Sequence, residues 1–197
     1  RWYVGVIVTL LVIYYYCLPD NLFQDPYSTV LEDRAGELLS ATIADDGQWR
    51  VPESGTMPAK FSEALITYED KRFMSHPGID VLSLCRAIRQ NVSEKRVVSG
   101  GSTLTMQVIR LSRKGKSRSI FQKAIEMVLA TRLELRHSKE EILALYASHA
   151  PFGGNVVGLV AACWRYFGRD PRELSWGEAA MLAVLPNSPS LIHPGKN

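Results

Sequence analysis

The sequence predicts a mainly α-helical domain set behind a charge-free N-terminal segment and a short β-hairpin. Three observations predict it. Residues 2–18 carry no charge. Two strand-like runs flank Asp33-Arg34-Ala35-Gly36. From Pro58 onward apolar residues recur at helical spacing, with the cap signatures Ser138-Lys139-Glu140-Glu141 and Ser175-Trp176-Gly177-Glu178 ahead of apolar runs.

The N-terminal run, Trp2-Tyr-Val-Gly-Val-Ile-Val-Thr-Leu-Leu-Val-Ile-Tyr-Tyr-Tyr-Cys-Leu18, has the length at which a helix begins to cross a bilayer core, about 17 residues. Trp2, Tyr3 and Tyr14 to Tyr16 stand at its two ends, where an aromatic belt belongs. Arg1 precedes it, while Asp20 and Asp25 follow. The positive-inside bias therefore predicts an uncleaved single-pass anchor with the rest of the chain outside the cytoplasm. Arg1 in place of Met, and the abrupt end at Asn197, suggest a piece of a longer protein.

Residues 28–32 and 37–43 read as the strands of the hairpin, closed by the turn ending at Gly36. Residues 45–52 read as a loop, and almost everything after them as helix. The expected organisation is an anchor at 1–18, an extracytoplasmic hairpin and linker at 19–57, and one helical domain at 58–197. The chain of 197 residues is 46% apolar, enough for one real core beside the anchor.

Composition excludes several classes. Three cysteines make no disulfide framework; Cys85 and Cys163 fall in apolar helical patterns as small core residues. The four histidines are scattered, without zinc-like spacing. A net charge of +3 gives no case for nucleic acid.

Four stretches carry candidate chemistry. In the first, Phe61, Ala64, Leu65 and Tyr68 form an apolar stripe, and Glu69 sits one step off it, one turn from Leu65, Ile66 and Phe73. Partial desolvation there favours a neutral carboxyl and a raised pKa, the tuning a general base needs. The helix is expected to end near His76, because Pro77 disfavours helical geometry before it and Gly78 permits a turn. The plain alternative is that Glu69 and Asp70 are surface charges. The second is the helix beginning at Asp80, a cap, with apolar positions Val81, Leu84, Cys85 and Ile88 expected to pack in the core.

The third is Gly100-Gly101-Ser102-Thr103-Leu104-Thr105-Met106-Gln107. Its glycines allow close backbone approach, and Ser102 or Thr103 can cap a helix whose free N–H groups suit an anionic or sugar ligand. The fourth is the basic run 110–123, followed by Glu126 in a helix expected over 119–136. A solvated basic loop is the default reading of such a run, and a pyrophosphate or lipid-headgroup site the alternative. Lys123 and Glu126 are three apart and could pair on one helix face.

These residues resemble a known family. Glu69-Asp-x-x-Phe73-x-x-His76-x-Gly78, Gly100-Gly-Ser-Thr-Leu-Thr-x-Gln107, Lys123-x-x-Glu126, Lys139-x-x-Ile142-Leu-x-x-Tyr146 with Phe152-Gly153, Trp164-Arg-Tyr-Phe-Gly168, and Glu178-Ala-Ala-Met-Leu-Ala-Val-Leu-Pro186-x-x-Pro189-Ser190 look like the ordered motifs of the peptidoglycan glycosyltransferases, glycosyltransferase family 51. The likeness covers residues 58–190. Around 150–154 and Trp49 it is most like the 1C type of class A penicillin-binding protein.

The resemblance implies a lysozyme-like, mainly helical fold with a small membrane-dipping subdomain. It implies polymerisation of lipid II into β-1,4-linked glycan, with release of undecaprenyl pyrophosphate, on the outer, periplasmic side of a bacterial inner membrane. By motif, Glu69 is the general base on the acceptor 4-hydroxyl. Glu126 is the second catalytic acid, near the donor pyrophosphate and a candidate ligand for a divalent cation, Mg²⁺ or Mn²⁺. Arg110, Arg118 and Lys123 match pyrophosphate-holding positions. Gly101, Ser102, Thr103 and Gln107 match the donor-side loop; Asp70, Phe73, His76 and Arg86 complete the implied substrate-binding set. The implied partners are lipid II, the growing glycan, the membrane and other cell-wall synthesis proteins.

The chain departs from the family pattern at Met106, Gln122, Ala147 and Ser148, which bears on substrate fit and rate more than on reaction type. It contains no Ser-x-x-Lys and no Lys-Thr-Gly, so a penicillin-binding transpeptidase module is expected only beyond Asn197. Two alternatives use the same residues: a lysozyme-like glycan-cleaving enzyme, which would not need the cationic run, and a non-catalytic membrane scaffold that binds lipid II.

Overall fold

A computed structural model of the chain describes residues 2–36, 38–52, 57–96, 98, 100–114 and 119–187. Arg118 and Lys116 of the basic run lie outside the described residues. The described residues are mainly helical and fall into two compact units, Arg1–Gln24 with Arg72–Ile142, and Asp25–Lys71 with Leu143–Asn197.

The first unit opens with helix α1, Trp2–Tyr16. It is apolar all round, and its side chains are exposed from Trp2 to Ile13. Its 15 residues make about 22 Å at ~1.5 Å per residue, short of the ~30 Å hydrocarbon core. No helix among the described residues is long and apolar enough to cross a membrane. The helix thus stops two residues before the expected Leu18. Pro19 disfavours helical geometry at Leu18, and Cys17 turns back to bond the Tyr14 carbonyl through its thiol, 3.0 Å. This end is tied to helix α5 (Ile120–Glu134). Tyr14 bonds the Thr131 hydroxyl at 3.0 Å, Arg132 donates to the Tyr15 carbonyl and lies over its ring, and Arg136 pairs with Asp20 at 2.9 Å.

Helix α3, Val81–Glu94, starts where the sequence predicts. The Asp80 carboxylate accepts from the Ser83 N–H at 3.0 Å and takes both arms of the Arg72 guanidinium. Its predicted core face is a correction. Val81, Cys85 and Ile88 are exposed, Leu84 is half-buried, and Ala87 alone is buried. The reason is the approach of the chain at Gly101, where a Cβ would stand 2.7 Å from the Leu84 Cα. That side of α3 is covered by backbone rather than by a layer of side chains. Helix α4, Leu104–Ser112, is capped by Thr103 and packs on α5. Helix α6, Lys139–His149, opens with the reciprocal bonds of a capping box between Ser138 and Glu141.

In the second unit, strands β1 (Val30–Glu32) and β2 (Leu38–Ala41) form the antiparallel hairpin. Its turn is fastened by the Asp33 carboxylate on the Ala35 N–H, with Gly36 at φ 85°. The segment predicted as loop holds a two-residue strand, β3 (Trp49–Arg50), paired in parallel with β4 (Val156–Val157). A pairing a hundred residues apart leaves no local signature. Helix α2, Ala59–Glu69, packs along helix α8, Trp176–Val184, with α7 (Leu159–Phe167) beside the small sheet. Phe61, Leu65, Phe152, Cys163, Leu182 and Ala183 fill the core, each worth about 1.5–3 kcal/mol for the large side chains. Helix α2 ends at Glu69, not near His76. Asp70 leaves helical geometry (φ −155°, ψ 76°), and the chain re-forms only a 3₁₀ turn at Phe73–Ser75. Glu-Asp-Lys-Arg offers no apolar residue to hold a further turn against the core, and Asp competes with the helix for local hydrogen bonds.

The Asp80 cap generates a stability test. Burial pushes its carboxyl up, but the bonds from the Ser83 N–H and hydroxyl and from Arg72 outweigh that and hold it at about 2, below its ordinary 3.8. Its stabilisation is therefore full above pH ~4 and is lost as pH falls through about 2. Asp80→Ala should cost about 1 kcal/mol at pH 7. Urea melts of both proteins should converge as the pH is lowered through that window.

Candidate functional site

The first unit contains a cavity of about 370 Å³ lined by Gly100, Ser102, Arg110, Ser119, Ile120, Gln122, Lys123 and Glu126. Local folding explains why these meet. The Thr103 hydroxyl accepts from the Met106 N–H to start α4, and donates to the Gly78 carbonyl at 2.6 Å. Gly78 in turn lies against α5, where a Cβ would stand 2.7 Å from the Ala130 carbonyl oxygen. So Gly100 to Thr103 is pinned between α3, the Gly78 turn and α4, with Ser102 at the cavity wall.

Arg110 is in the last turn of α4 and Glu126 in α5. The guanidinium meets the carboxylate with two bonds, Nε to Oε1 at 3.1 Å and Nη2 to Oε2 at 2.7 Å, and reaches Ser102 Oγ at 3.4 Å. Glu126 is 8% exposed, so a bidentate, charge-assisted partner is what allows it to stay there. The sequence pattern suggested Lys123 as its partner; the partner the fold supplies is Arg110. Lys123 lines the cavity one turn before Glu126. Ser119 caps α5 through the Gln122 N–H, which turns the positive end of that helix towards the same space. Gln122, a family departure, accepts from Arg113 at 2.9 Å, so one charge of the basic run is directed along the cavity wall. Met106, the other departure in this unit, is fully buried in α4.

Phe73 and His76 are buried beside a second polar cluster. Lys139 Nζ donates to the His76 carbonyl and to Glu134, both at 2.7 Å, and sits 4.3 Å from the Phe73 ring centroid. Thr105 bonds the same Glu134 oxygen at 2.6 Å. Glu134 carries no motif signal in the sequence. Gln107 is half-buried in α4, and Arg86 is exposed on α3, bonded to Ser83 and outside the cavity lining. Cys163 is buried as expected, whereas Cys85 is exposed on α3.

Glu69 and Asp70 belong to the second unit. Glu69 is the last residue of α2, half-buried, and its Oε1 accepts from the Asn187 side-chain amide. Asp70 is buried at the helix end. Tyr146, from α6, is 1% exposed, and its hydroxyl has no hydrogen-bond partner among the described residues. Burial first, and the Glu69 charge second, push that hydroxyl well above its ordinary range. Asn187 is a residue the motif reading passed over, as an unspecified position between Pro186 and Pro189.

Among the described residues no group of three or more His, Cys, Asp and Glu side chains is arranged to hold a metal ion. Both oxygens of Glu126 already accept from Arg110. The donor set therefore does not fit a cation held by the protein alone.

The family model described as Transglycosylase matches residues 35–197. The chain is 46% identical over 158 residues, 77% of its length, to penicillin-binding protein 1C of Escherichia coli (strain K12), covering 20% of that protein. It is 34% identical over 98% of its length to penicillin-binding protein 1A of Rickettsia prowazekii (strain Madrid E), covering 26% of it, and 31% identical over 90% to penicillin-binding protein 4 of Bacillus subtilis (strain 168), covering 28%. The chain thus spans about a fifth to just over a quarter of the length of these curated relatives. With the ordered motifs standing on a capped loop, a cationic cavity and a helix-end carboxylate, a family match across most of the chain makes it a member of the transglycosylases, glycosyltransferase family 51, as a domain of the class A penicillin-binding proteins of the 1C type.

Proposed function

We propose that this chain is the peptidoglycan glycosyltransferase part of its protein, polymerising lipid II into β-1,4-linked glycan with release of undecaprenyl pyrophosphate. The observation that carries the reading is the cavity of the first unit. Two cations, Arg110 and Lys123, and the N-terminus of α5 face a space large enough for a phosphorylated headgroup, against a single carboxylate among the lining residues. A glycan-cleaving enzyme has no use for that arrangement, whereas departure of a pyrophosphate needs positive charge where negative charge develops.

In this reading Glu69 takes the proton of the acceptor 4-hydroxyl as the oxygen attacks the anomeric carbon of the donor. The bond from that carbon to the pyrophosphate oxygen breaks, the electron pair leaves with the pyrophosphate, and the α-linked donor yields a β-linked product in one inverting displacement. Arg110 and Lys123, with Arg118 by motif, hold the leaving group. Glu126 orients Arg110. By motif, Ser102, Thr103 and Gln107 match donor-side positions, and Asp70, Phe73 and His76 match substrate-binding positions. A Mg²⁺ or Mn²⁺ ion belongs to this reading only as a companion of the pyrophosphate, since such ions are commonly held by one or two carboxylates plus substrate phosphates; no step depends on it.

The exposed, wholly apolar α1 supports attachment to the membrane that holds both lipid substrates, with the domains at 19–57 and 58–197 on the periplasmic side of a bacterial inner membrane. The growing strand and other cell-wall synthesis proteins are its proposed partners there.

Three outcomes follow. Glu69→Gln should keep the fold and lose polymerisation by at least about 10²-fold, read as product length on a gel from labelled lipid II; more than about a tenth of the wild-type rate removes Glu69 from the role of base. In detergent micelles, where an anionic membrane surface is absent, Arg110→Ala should lower kcat by about 10²-fold or more while Lys114→Ala stays within about twofold. Equal behaviour of the two would overturn the division into leaving-group ligands and surface charges. A reporter active only in the cytoplasm, fused after Gly36, should be silent; an active one reverses the topology.

A further inference from the structure

Helices α2 and α8 are packed against each other through Phe61 and Leu65 on one side and Ala179, Leu182 and Ala183 on the other. Two contacts fix how they run. At their starts, Lys60 Nζ donates to the Leu174 carbonyl at 2.8 Å, just before α8. At their far ends, Asn187 donates to Glu69. The helices are therefore parallel and in step. Helix α8 is held at its start by the Ser175–Glu178 capping box and continues into the 3₁₀ turn Leu185–Asn187. The helix pair thereby brings Asn187 beside Glu69, where its side-chain amide makes the contact.

We propose that Asn187 is the positioning residue of the base. Its amide holds one carboxylate oxygen, fixes the plane of the carboxyl group at the fraying end of α2, and favours its charged form. The proposal rests on the reading of Glu69 as base. A half-buried glutamate on the last turn of a helix has more than one rotamer open to it, and a base that must meet one hydroxyl loses rate with every rotamer that points elsewhere. Asn suits the task because it donates without carrying a charge that would neutralise the base.

Among the described residues, the titratable and charged groups at this end of α2 include Tyr68, Asp70 and Lys71 of the chain itself and Tyr146 from α6; Lys60 and Glu178 belong to the opposite end of the helix pair. Tyr146 stays neutral over the working range, for burial and the Glu69 charge both raise its hydroxyl. Asn187 is thus the uncharged donor that the structure supplies to Glu69 from the α8 side.

The test measures kcat, KM and the pH profile of kcat/KM for lipid II polymerisation by the full-length protein, as wild type, Asn187→Ala, Asn187→Gln, Asn187→Asp and Glu69→Gln. Asn187 is exposed, so its replacement opens no core cavity. Asn187→Ala should lower kcat by about 10- to 100-fold with KM within about threefold. Its acid limb should move to higher pH, because a donor that favours the carboxylate has gone. Asn187→Gln should recover part of both effects, and Asn187→Asp should push the acid limb higher still. If Asn187→Ala keeps kcat within about twofold and leaves the limb in place while Glu69→Gln is inactive, the base stands and the positioning role falls. If kcat falls only together with a large rise in KM, Asn187 contacts substrate instead, and the inference is again overturned. An active Glu69→Gln removes the base and the inference with it.

Discussion

The first unit depends on one buried ion pair. Lys139, at the start of α6, and Glu134, at the end of α5, meet at 2.7 Å with side chains 19% and 8% exposed. A bare pair in such a place barely offsets its desolvation. Here both charges make further contacts: Glu134 accepts from the Thr105 hydroxyl of α4, and Lys139 donates to the His76 carbonyl and covers the Phe73 ring. Three separate stretches of chain, the loop of Phe73 and His76, Thr105 of α4 and the α5–α6 junction, converge on two charges. Removing either would leave the other buried alone, at a cost of about 3–5 kcal/mol, and would release the loop of Phe73 and His76 together with the start of α4. The Thr103 hydroxyl completes the arrangement from the other side, since its bond to Gly78 ties the same loop to the cavity wall.

The second unit solves a different problem. As the proposed base, Glu69 has to be reachable from a helix end, yet helix ends fray. Packing α2 in parallel with α8 gives that end a partner of its own, and the Glu69 charge is near enough to help raise the buried Tyr146 hydroxyl. The buried Tyr146 hydroxyl with no partner among the described residues is a cost that such a site carries. Ala147 and Ser148, where the family pattern differs, follow it in α6. Ala147 is buried, and Ser148 bonds the Ala144 carbonyl within its own helix.

What could be read in the sequence is what local chemistry decides. Asp80, Thr103, Ser119, Ser138 and Ser175 each cap the helix they precede, because a side-chain acceptor three residues before an N–H needs no tertiary help. The hairpin turn at Asp33 to Gly36 is of the same kind. What could not be read depends on distant partners. The pairing of Trp49 with Val156 is one case, and the exposed face of α3 another: Val81, Cys85 and Ile88 have core spacing, but nothing in their neighbourhood says which side the Gly101 backbone will cover. Periodicity also overran α2. The stripe continues on paper past Glu69, but Asp70 ends the helix, and that end is what sets Glu69 opposite Asn187.

The same distinction bears on the charge of the cavity. Helical spacing offered Lys123 to Glu126; the fold gives Glu126 to Arg110 and leaves Lys123 at the wall. An arginine has five N–H donors. Two go to Glu126 and one to Ser102, at Nε and Nη2, so the plane of the guanidinium is fixed before any ligand arrives, while Nη1 has no part in these bonds. The carboxylate offsets most of the arginine's charge. In the proposed function, an incoming pyrophosphate would meet a pre-oriented donor that has already lost its rotamer entropy, with Lys123 and the α5 N-terminus supplying the net positive charge. A solvated basic loop of the same composition would present more charge and less direction. Catalysis of leaving-group departure rewards direction, because only interactions that strengthen as charge builds up on the bridging oxygen lower the barrier.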